Sequence, residues 1–119
     1  MPTVGTVYTD GAVRIIARAT LVQFGDRLRG HRDHAAVVGA LSAWYYEVRK
    51  SVWKSPADVR AGFATASFIG SGRVVFNIKG NSYRLIVDID YSRRIVFIKW
   101  LGSHKDYDRI DARTVQYGN

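Results

Sequence analysis

FNIKGNSYRLIVDIDYSRRIVFIKWLGSHKDYD, residues 76 to 108, is a run of strand-forming residues that ends in a cluster of polar side chains. A two-residue turn at Gly80-Asn81 predicts a β-hairpin in which each residue before the turn faces one after it. One face of this hairpin is then apolar, and it has the pairs Ile78–Tyr83, Phe76–Leu85 and Val74–Val87. The other face has the pairs Lys79–Ser82, Asn77–Arg84, Val75–Ile86 and Arg73–Asp88. This sorting predicts a half-buried sheet with a polar, cationic outer face.

A second turn, near Ser92-Arg93, extends the hairpin to a three-stranded meander. The predicted strands cover residues 73–79, 83–90 and 94–101. Pairing across the second turn places Ile89, Val87 and Leu85 opposite Val96, Ile98 and Trp100 on the apolar face. Lys99 falls on the polar face with Arg84. Because the last strand is almost entirely apolar, we expect it to be central or covered on both sides.

Before Ser71-Gly72 the apolar residues recur with the period of a helix, whereas after it they alternate as in a strand. The pattern predicts a short strand over 13–17 and helices over 19–28, 35–52 and about 55–63. In the last of these, Ser55 is the N-cap and Pro56 the first helical residue. Residues 1–12 show no periodicity, so they are predicted to form a flexible extension of a single domain at 13–119.

The change of period predicts an α+β fold, in which an N-terminal strand and two to three helices accompany a small, mainly antiparallel sheet. The helices should pack on the apolar face of that sheet. We expect one shared core, which contains Trp44, Leu85, Val87, Ile98 and Trp100.

The composition restricts the kinds of partner. Eighteen Lys plus Arg against ten Asp plus Glu give a net charge of +8, which favours polyanions such as nucleic acid, or an acidic protein. The chain has no cysteine and three histidines, so we expect no disulfide, metal or cofactor. No apolar run is long enough to span a membrane and no secretory signal is visible, which predicts a cytoplasmic protein.

Four segments together resemble the HigB family of toxins: VRIIARATL, WKSPADV, VVFNIKGNSYRL and LGSHKDYDRID. The resemblance covers residues 13 to 112. Members of that family start near Val13, so residues 1–12 depart from the pattern, and Ser103 stands where threonine is common. HigB toxins are small mRNA interferases of type II toxin–antitoxin systems with a RelE-like, microbial ribonuclease-type fold.

The resemblance implies a metal-independent endoribonuclease that cleaves mRNA, often on translating ribosomes, and a HigA-type antitoxin with a helix-turn-helix domain as partner. It also implies attack of a ribose 2′-OH on the adjacent phosphate, leaving a 2′,3′-cyclic phosphate and a 5′-OH. This reaction needs a proton acceptor, cations for the phosphorane and an acid for the leaving oxygen.

Three residues are the predicted catalytic groups. His104 can exchange a proton near neutral pH, although it could also only cap or pack a helix start. Ser103 and Asp106 predict that a helix begins here, which puts Tyr107 and Asp108 on one face with His104. Tyr107 would stack on a base or donate to the phosphate, and Asp108 would orient His104 or Arg109. Arg84 has the planar fork that suits a phosphate.

Four further residues are predicted to bind the substrate: Lys79, Lys99, Asn77 and Arg73. Two other functions remain open at this point. The basic sheet could bind RNA without cutting it, with tyrosines as stacking residues. Alternatively, the positive face could dock an acidic protein. Cleavage of RNA in the presence of EDTA would distinguish the enzyme from both.

Overall fold

The computed structural model describes residues 13–116, so the predicted extension at 1–12 lies outside the described residues. In chain order the elements are β1 (Arg14–Ile16), α1 (Arg18–Arg27), α2 (His34–Lys50), α3 (Pro56–Gly62), β2 (Ser67–Phe68), β3 (Arg73–Ile78), β4 (Tyr83–Asp90), β5 (Ile95–Ser103) and α4 (His104–Tyr107). The predicted α+β fold is confirmed. The three helix predictions and the strand at 13–17 are also confirmed, with shifts of one or two residues at most ends.

The five strands form one sheet in the order β1-β5-β4-β3-β2. β5 is an interior strand, as its apolar sequence predicted. All neighbours are antiparallel except β1, which runs parallel to β5 with Arg14 beside Ile95. Neither this parallel pair nor the two-residue strand β2 was predicted, because both are too short to show a period.

The register of the first hairpin is confirmed from Arg73–Asp88 to Ile78–Tyr83. Its apolar face forms the core, on which α1 packs against β5 and α2 packs against β1 and β3. Trp44 and Trp53 are buried there, and the rings of both contact Phe76. Leu85 is fully buried on this face, while its neighbour Arg84 is half-buried on the other.

The prediction for Trp100 was wrong. A bulge shifts the β4–β5 register between Ile86 and Val87, so Trp100 lies opposite Ile86 and Leu101 lies opposite Leu85. The extra residue turns every later side chain of β5 to the other face. Leu101 therefore enters the core, and Trp100 becomes a half-buried residue of the outer face.

The outer face of the sheet is not the open cationic surface that the alternation predicted. Val75 and Ile86 are buried on it, with exposures of 3% and 0%. Arg73 is also buried, and its guanidinium donates to the carbonyl oxygens of Ala112 and Val115. The segment after α4 is thus bound to this face. No helix within residues 13–116 is long and apolar enough to cross a membrane.

Candidate active site

The candidate site lies where β5 ends and α4 begins. Ser103 is the N-cap of α4, and its hydroxyl oxygen accepts a hydrogen bond of 3.1 Å from the backbone N–H of Asp106. The backbone N–H of His104 donates to the carbonyl oxygen of Ser82 at 2.8 Å. This second bond ties the start of α4 to the β3–β4 turn. The predicted cap is confirmed, and it fixes where His104 stands.

Arg84 is held by the same turn. One terminal nitrogen of its guanidinium donates to the carbonyl oxygens of Asn81 at 2.9 Å and Tyr83 at 3.2 Å. The other donates to Oδ1 of Asn81 at 2.6 Å and lies 3.0 Å from Nδ1 of His104. All four terminal N–H groups therefore have acceptors. The planar fork of arginine is what allows one side chain to make these contacts together.

His104 bridges a cation and an anion. Its Nδ1 faces Arg84, and its Nε2 lies 3.4 Å from a carboxylate oxygen of Asp108. A guanidinium can only donate, so in the neutral tautomer that accepts from Arg84 at Nδ1 the ring proton is on Nε2, which faces Asp108. The carbonyl oxygen of Asn81 also lies 3.3 Å from Nδ1, so it would accept a proton bound there.

Tyr107 forms one wall of the site. Its ring centroid lies 5.7 Å from the guanidinium carbon of Arg84, within range of a cation–π contact. The ring of Tyr107 also contacts that of Trp100, with 6.2 Å between the ring centroids. The structure therefore brings the three predicted catalytic residues together, and Asp108 lies beside His104 as expected.

Gly102 makes room for Trp100. In the register of the sheet Gly102 is the partner of Arg84, and the indole of Trp100 lies across it. A Cβ at Gly102 would approach the indole to 2.5 Å, well inside van der Waals contact. The absence of a side chain here lets Trp100 form the floor of the site beside Tyr107.

Lys79 points away from these residues. Its φ is +51°, and its ammonium lies 3.6 Å from Asp33 on the helical side of the sheet. Asp33 also accepts a 3.0 Å hydrogen bond from the hydroxyl of Tyr83. Burial alone would raise the pKa of Asp33, but this hydrogen bond and the nearby Lys79 lower it overall. Burial and the same hydrogen bond raise the pKa of Tyr83. Lys79 therefore helps to anchor the turn.

The other predicted substrate-binding residues divide into two groups. Asn77 is half-buried and pairs with Arg84 across β3 and β4, so it borders the site. Arg73 forms a two-pronged ion pair with Asp88, with distances of 2.7 and 3.1 Å. Lys99 lies 3.9 Å from the same carboxylate. Arg73 is four strand positions from Asn77, about 13 Å, so the Asp88 cluster is separate from the candidate active site.

Two residues of the site were missed by the sequence interpretation. Asn81 was attributed to turn chemistry alone, yet its two oxygens hold Arg84. Asn81 lies three residues before Arg84 in the sequence, and this spacing could have indicated the contact between them. Trp100 was assigned to the core because a bulge leaves no mark in an apolar strand. Within the described range, no three His, Asp or Glu side chains converge as metal ligands would.

A protein-family model matches this chain. The model of the HigB_toxin family, described as the RelE-like toxic component of a toxin-antitoxin system, matches residues 38–110. This span is more than half of the 119 residues, and it includes Arg84, His104 and Tyr107. No curated protein matches the chain.

Proposed function

The chain belongs to the HigB family, the RelE-like toxic components of toxin–antitoxin systems, and from this premise we propose that it cleaves mRNA during translation without a metal. The proposal makes it an endoribonuclease that inhibits protein synthesis. One observation carries the proposal: the guanidinium of Arg84 lies 3.0 Å from Nδ1 of His104 and 5.7 Å from the ring centroid of Tyr107, which groups a potential base, a cation and a phenol.

In the proposed reaction the ribose 2′-oxygen forms a bond to the adjacent phosphorus, and the bond from phosphorus to the 5′-oxygen breaks. The proton of the 2′-OH passes to a base of the site, and a second proton goes to the leaving 5′-oxygen. The products are a 2′,3′-cyclic phosphate and a 5′-OH. Because the nucleophile is the 2′-OH, DNA is not a substrate.

The contact between Arg84 and His104 suggests how the substrate prepares the base. In the free protein Arg84 donates to Nδ1 of His104, so that nitrogen has no lone pair to spare. A phosphate is a stronger acceptor for a guanidinium than a neutral imidazole is. When Arg84 turns to the phosphate, Nδ1 is released and can take the 2′-OH proton. The resulting imidazolium would donate to Asn81 and Asp108, which lie 3.3 and 3.4 Å away.

Tyr107 and Asn77 complete the proposed site. The ring of Tyr107 supports the guanidinium of Arg84, and its hydroxyl would donate to the phosphate or to the leaving oxygen. Asn77 would contact the substrate beside Arg84, its partner across the strands. Arg73, Lys79 and Lys99 are left out of the proposal, because each is bound to a carboxylate elsewhere.

The toxin has an antitoxin as its partner, as its family implies. We infer a HigA-type protein with a helix-turn-helix domain. The charge of +8 would speed the encounter with an acidic partner more than it would strengthen the final complex.

The cleavage experiment incubates single-stranded RNA with the protein in EDTA and analyses the fragment ends. We expect fragments with 5′-hydroxyl and cyclic phosphate ends. The same RNA with 2′-deoxyribose at the cut nucleotide should bind and stay whole. Binding of unmodified RNA without any cleavage, both in dilute solution and on translating ribosomes, would replace the enzyme by an RNA-binding module.

A further inference from the structure

A groove borders the candidate active site on the side of Trp100. It is lined by Phe24 and Arg27 of α1, by Trp100 of β5, and by Asp106, Arg109 and Ile110 around α4. Trp100 belongs to both places, since its ring also meets Tyr107. A strand of RNA that leaves Arg84 and His104 past Tyr107 would therefore enter this groove.

The two arginines of the groove are available to a ligand. Within residues 13–116 neither Arg27 nor Arg109 forms an ion pair, whereas Arg29 is bonded to Asp26 at 3.3 Å. The guanidinium of Arg27 lies over the ring of Phe24, 5.5 Å from its centroid, which holds it at the groove. Among the residues that line the groove, Asp106 contributes one carboxylate beside these two cations. The net positive charge fits a phosphate.

Trp100 supplies an aromatic surface in the same groove. The bulge in β5 turns its side chain out of the core, and Gly102 lets the indole lie against the strand. The indole is half-buried, so part of it remains exposed. An aromatic ring held in this way, beside cations, is the arrangement that stacks a base of single-stranded nucleic acid without reading its sequence.

We propose that this groove binds a nucleotide adjacent to the cleaved phosphodiester, with its base on Trp100 and its phosphate between Arg27 and Arg109. The proposal rests on the proposed function, because it assumes that the same RNA occupies both sites. It requires a single-stranded substrate, since the bases of a duplex are stacked on each other.

The arginine contacts are tested by the salt dependence of RNA binding. The probe is a short single-stranded 2′-O-methyl RNA, which has no 2′-OH and is not cleaved, and binding is followed by fluorescence anisotropy over a salt series. We expect R27A and R109A each to reduce the slope of log K against log salt, and the double variant to reduce it by about 0.7, the value for one phosphate contact to a single strand. The control R29A removes the same charge from outside the groove and should keep the wild-type slope. Slopes for R27A and R109A equal to that of R29A would overturn the proposal.

The stacking contact is tested with two variants of Trp100. W100F keeps an aromatic ring and should bind the probe within about threefold of wild type, whereas W100L should lose about tenfold or more. Thermal unfolding checks that both are folded. If W100L does not fold, the two arginine slopes decide the proposal alone. If folded W100L and W100F bind the probe with equal affinity, the proposed stacking of a base on Trp100 is wrong.

The binding probe separates this inference from the proposed function. If the wild-type protein cuts no RNA, the endoribonuclease proposal fails while the slopes still decide the groove. If cutting is intact and the groove variants bind like R29A, only the groove proposal fails.

Discussion

The two side chains that contact the imidazole of His104, those of Arg84 and Asp108, determine which of its nitrogens can accept a proton. Its Nδ1 cannot accept from Arg84 and hold a proton at the same time, so the position of one guanidinium decides whether the imidazole can act as a base. Asp108 faces Nε2 in either case and fixes the ring. In the proposed mechanism, the position of Arg84 therefore sets whether His104 can accept a proton.

Replacing His104 tests the proposed proton transfer. H104A should lower the rate of RNA cleavage by about 10² to 10⁴, the usual contribution of a general acid or base. Single-turnover cleavage at saturating protein measures it. H34A is the matched control, because it also removes an imidazole and His34 is not among the residues that contact His104 or Arg84, so the rate should be unchanged. Full activity of H104A would shift the proton transfer to Tyr107.

Replacing Arg84 tests the stabilisation of charge. R84A should lower the cleavage rate by about 10² or more, as when one donor to a developing oxyanion is lost. R84K should recover only part of this, because lysine keeps the charge but cannot span Asn81 and His104. R113A, which removes an exposed arginine, is the control. Wild-type rates for R84K would show that charge alone suffices.

The lowered pKa of Asp90 predicts that the free energy of unfolding depends on pH. The backbone N–H and guanidinium of Arg93 donate to its carboxylate, which lowers its pKa from 3.8 to about 2. Because folding lowers the pKa of Asp90, its ionised carboxylate stabilises the folded state. This contribution to the free energy of unfolding is complete above pH 3.8 and is lost as the pH falls through about 2. D90N should therefore be less stable than wild type near neutral pH, and the difference should shrink below about pH 4. Urea unfolding across this range measures it, and a constant difference would contradict the assignment.

At the scale of elements, periodicity predicted α1, α2 and the first hairpin, because each has a continuous apolar face. The helices α3 and α4 were predicted from the capping residues at their starts. The reasoning from periodicity failed in β5. There the residues on both sides of the bulge are apolar, so Trp100 and Leu101 looked equally suited to the core. The grouping of the candidate catalytic residues could be predicted, since the cap at Ser103 and the hairpin register place them. Arg73 could not be assigned correctly, because its partners Ala112 and Val115 are distant backbone carbonyls that leave no sequence pattern.

The close contact in β5 gives a prediction for a glycine. G102A should destabilise the protein by about 1–3 kcal/mol, because the added methyl displaces the indole of Trp100. It should also reduce cleavage, since Trp100 contacts Tyr107. Urea unfolding followed by tryptophan fluorescence measures the first effect. G39A is the control: in α2 a Cβ at Gly39 meets nothing within 4 Å, so alanine should stabilise the helix by about 0.5–1 kcal/mol. Equal stabilities of the two variants would mean that Trp100 moves freely.

For the whole molecule, the family implies that the active chain harms a cell that lacks the antitoxin. Induced expression of the chain alone should arrest growth, and co-expression of its antitoxin should restore it. H104A is the matched control, because it should accumulate without harm if toxicity comes from the proposed cleavage. Growth curves with immunoblots measure both. Harmless accumulation of the folded wild-type chain would contradict a toxin.

The parallel pairing of β1 with β5 determines when the sheet can be completed during synthesis of the protein. Arg14 pairs with Ile95, which is 81 positions later in the chain, so β1 cannot pair with β5 until β5 has been synthesised. β5 must also pair with β4. Contacts between such distant residues form slowly, because a long loop has to close first. His104 follows β5 directly and needs Ser82 and Arg84 for its position. A nascent chain on its own ribosome therefore has no assembled candidate site until this last strand has emerged and inserted. Under the proposed function, the protein would be unable to cut the message from which it is being made until its sheet is closed.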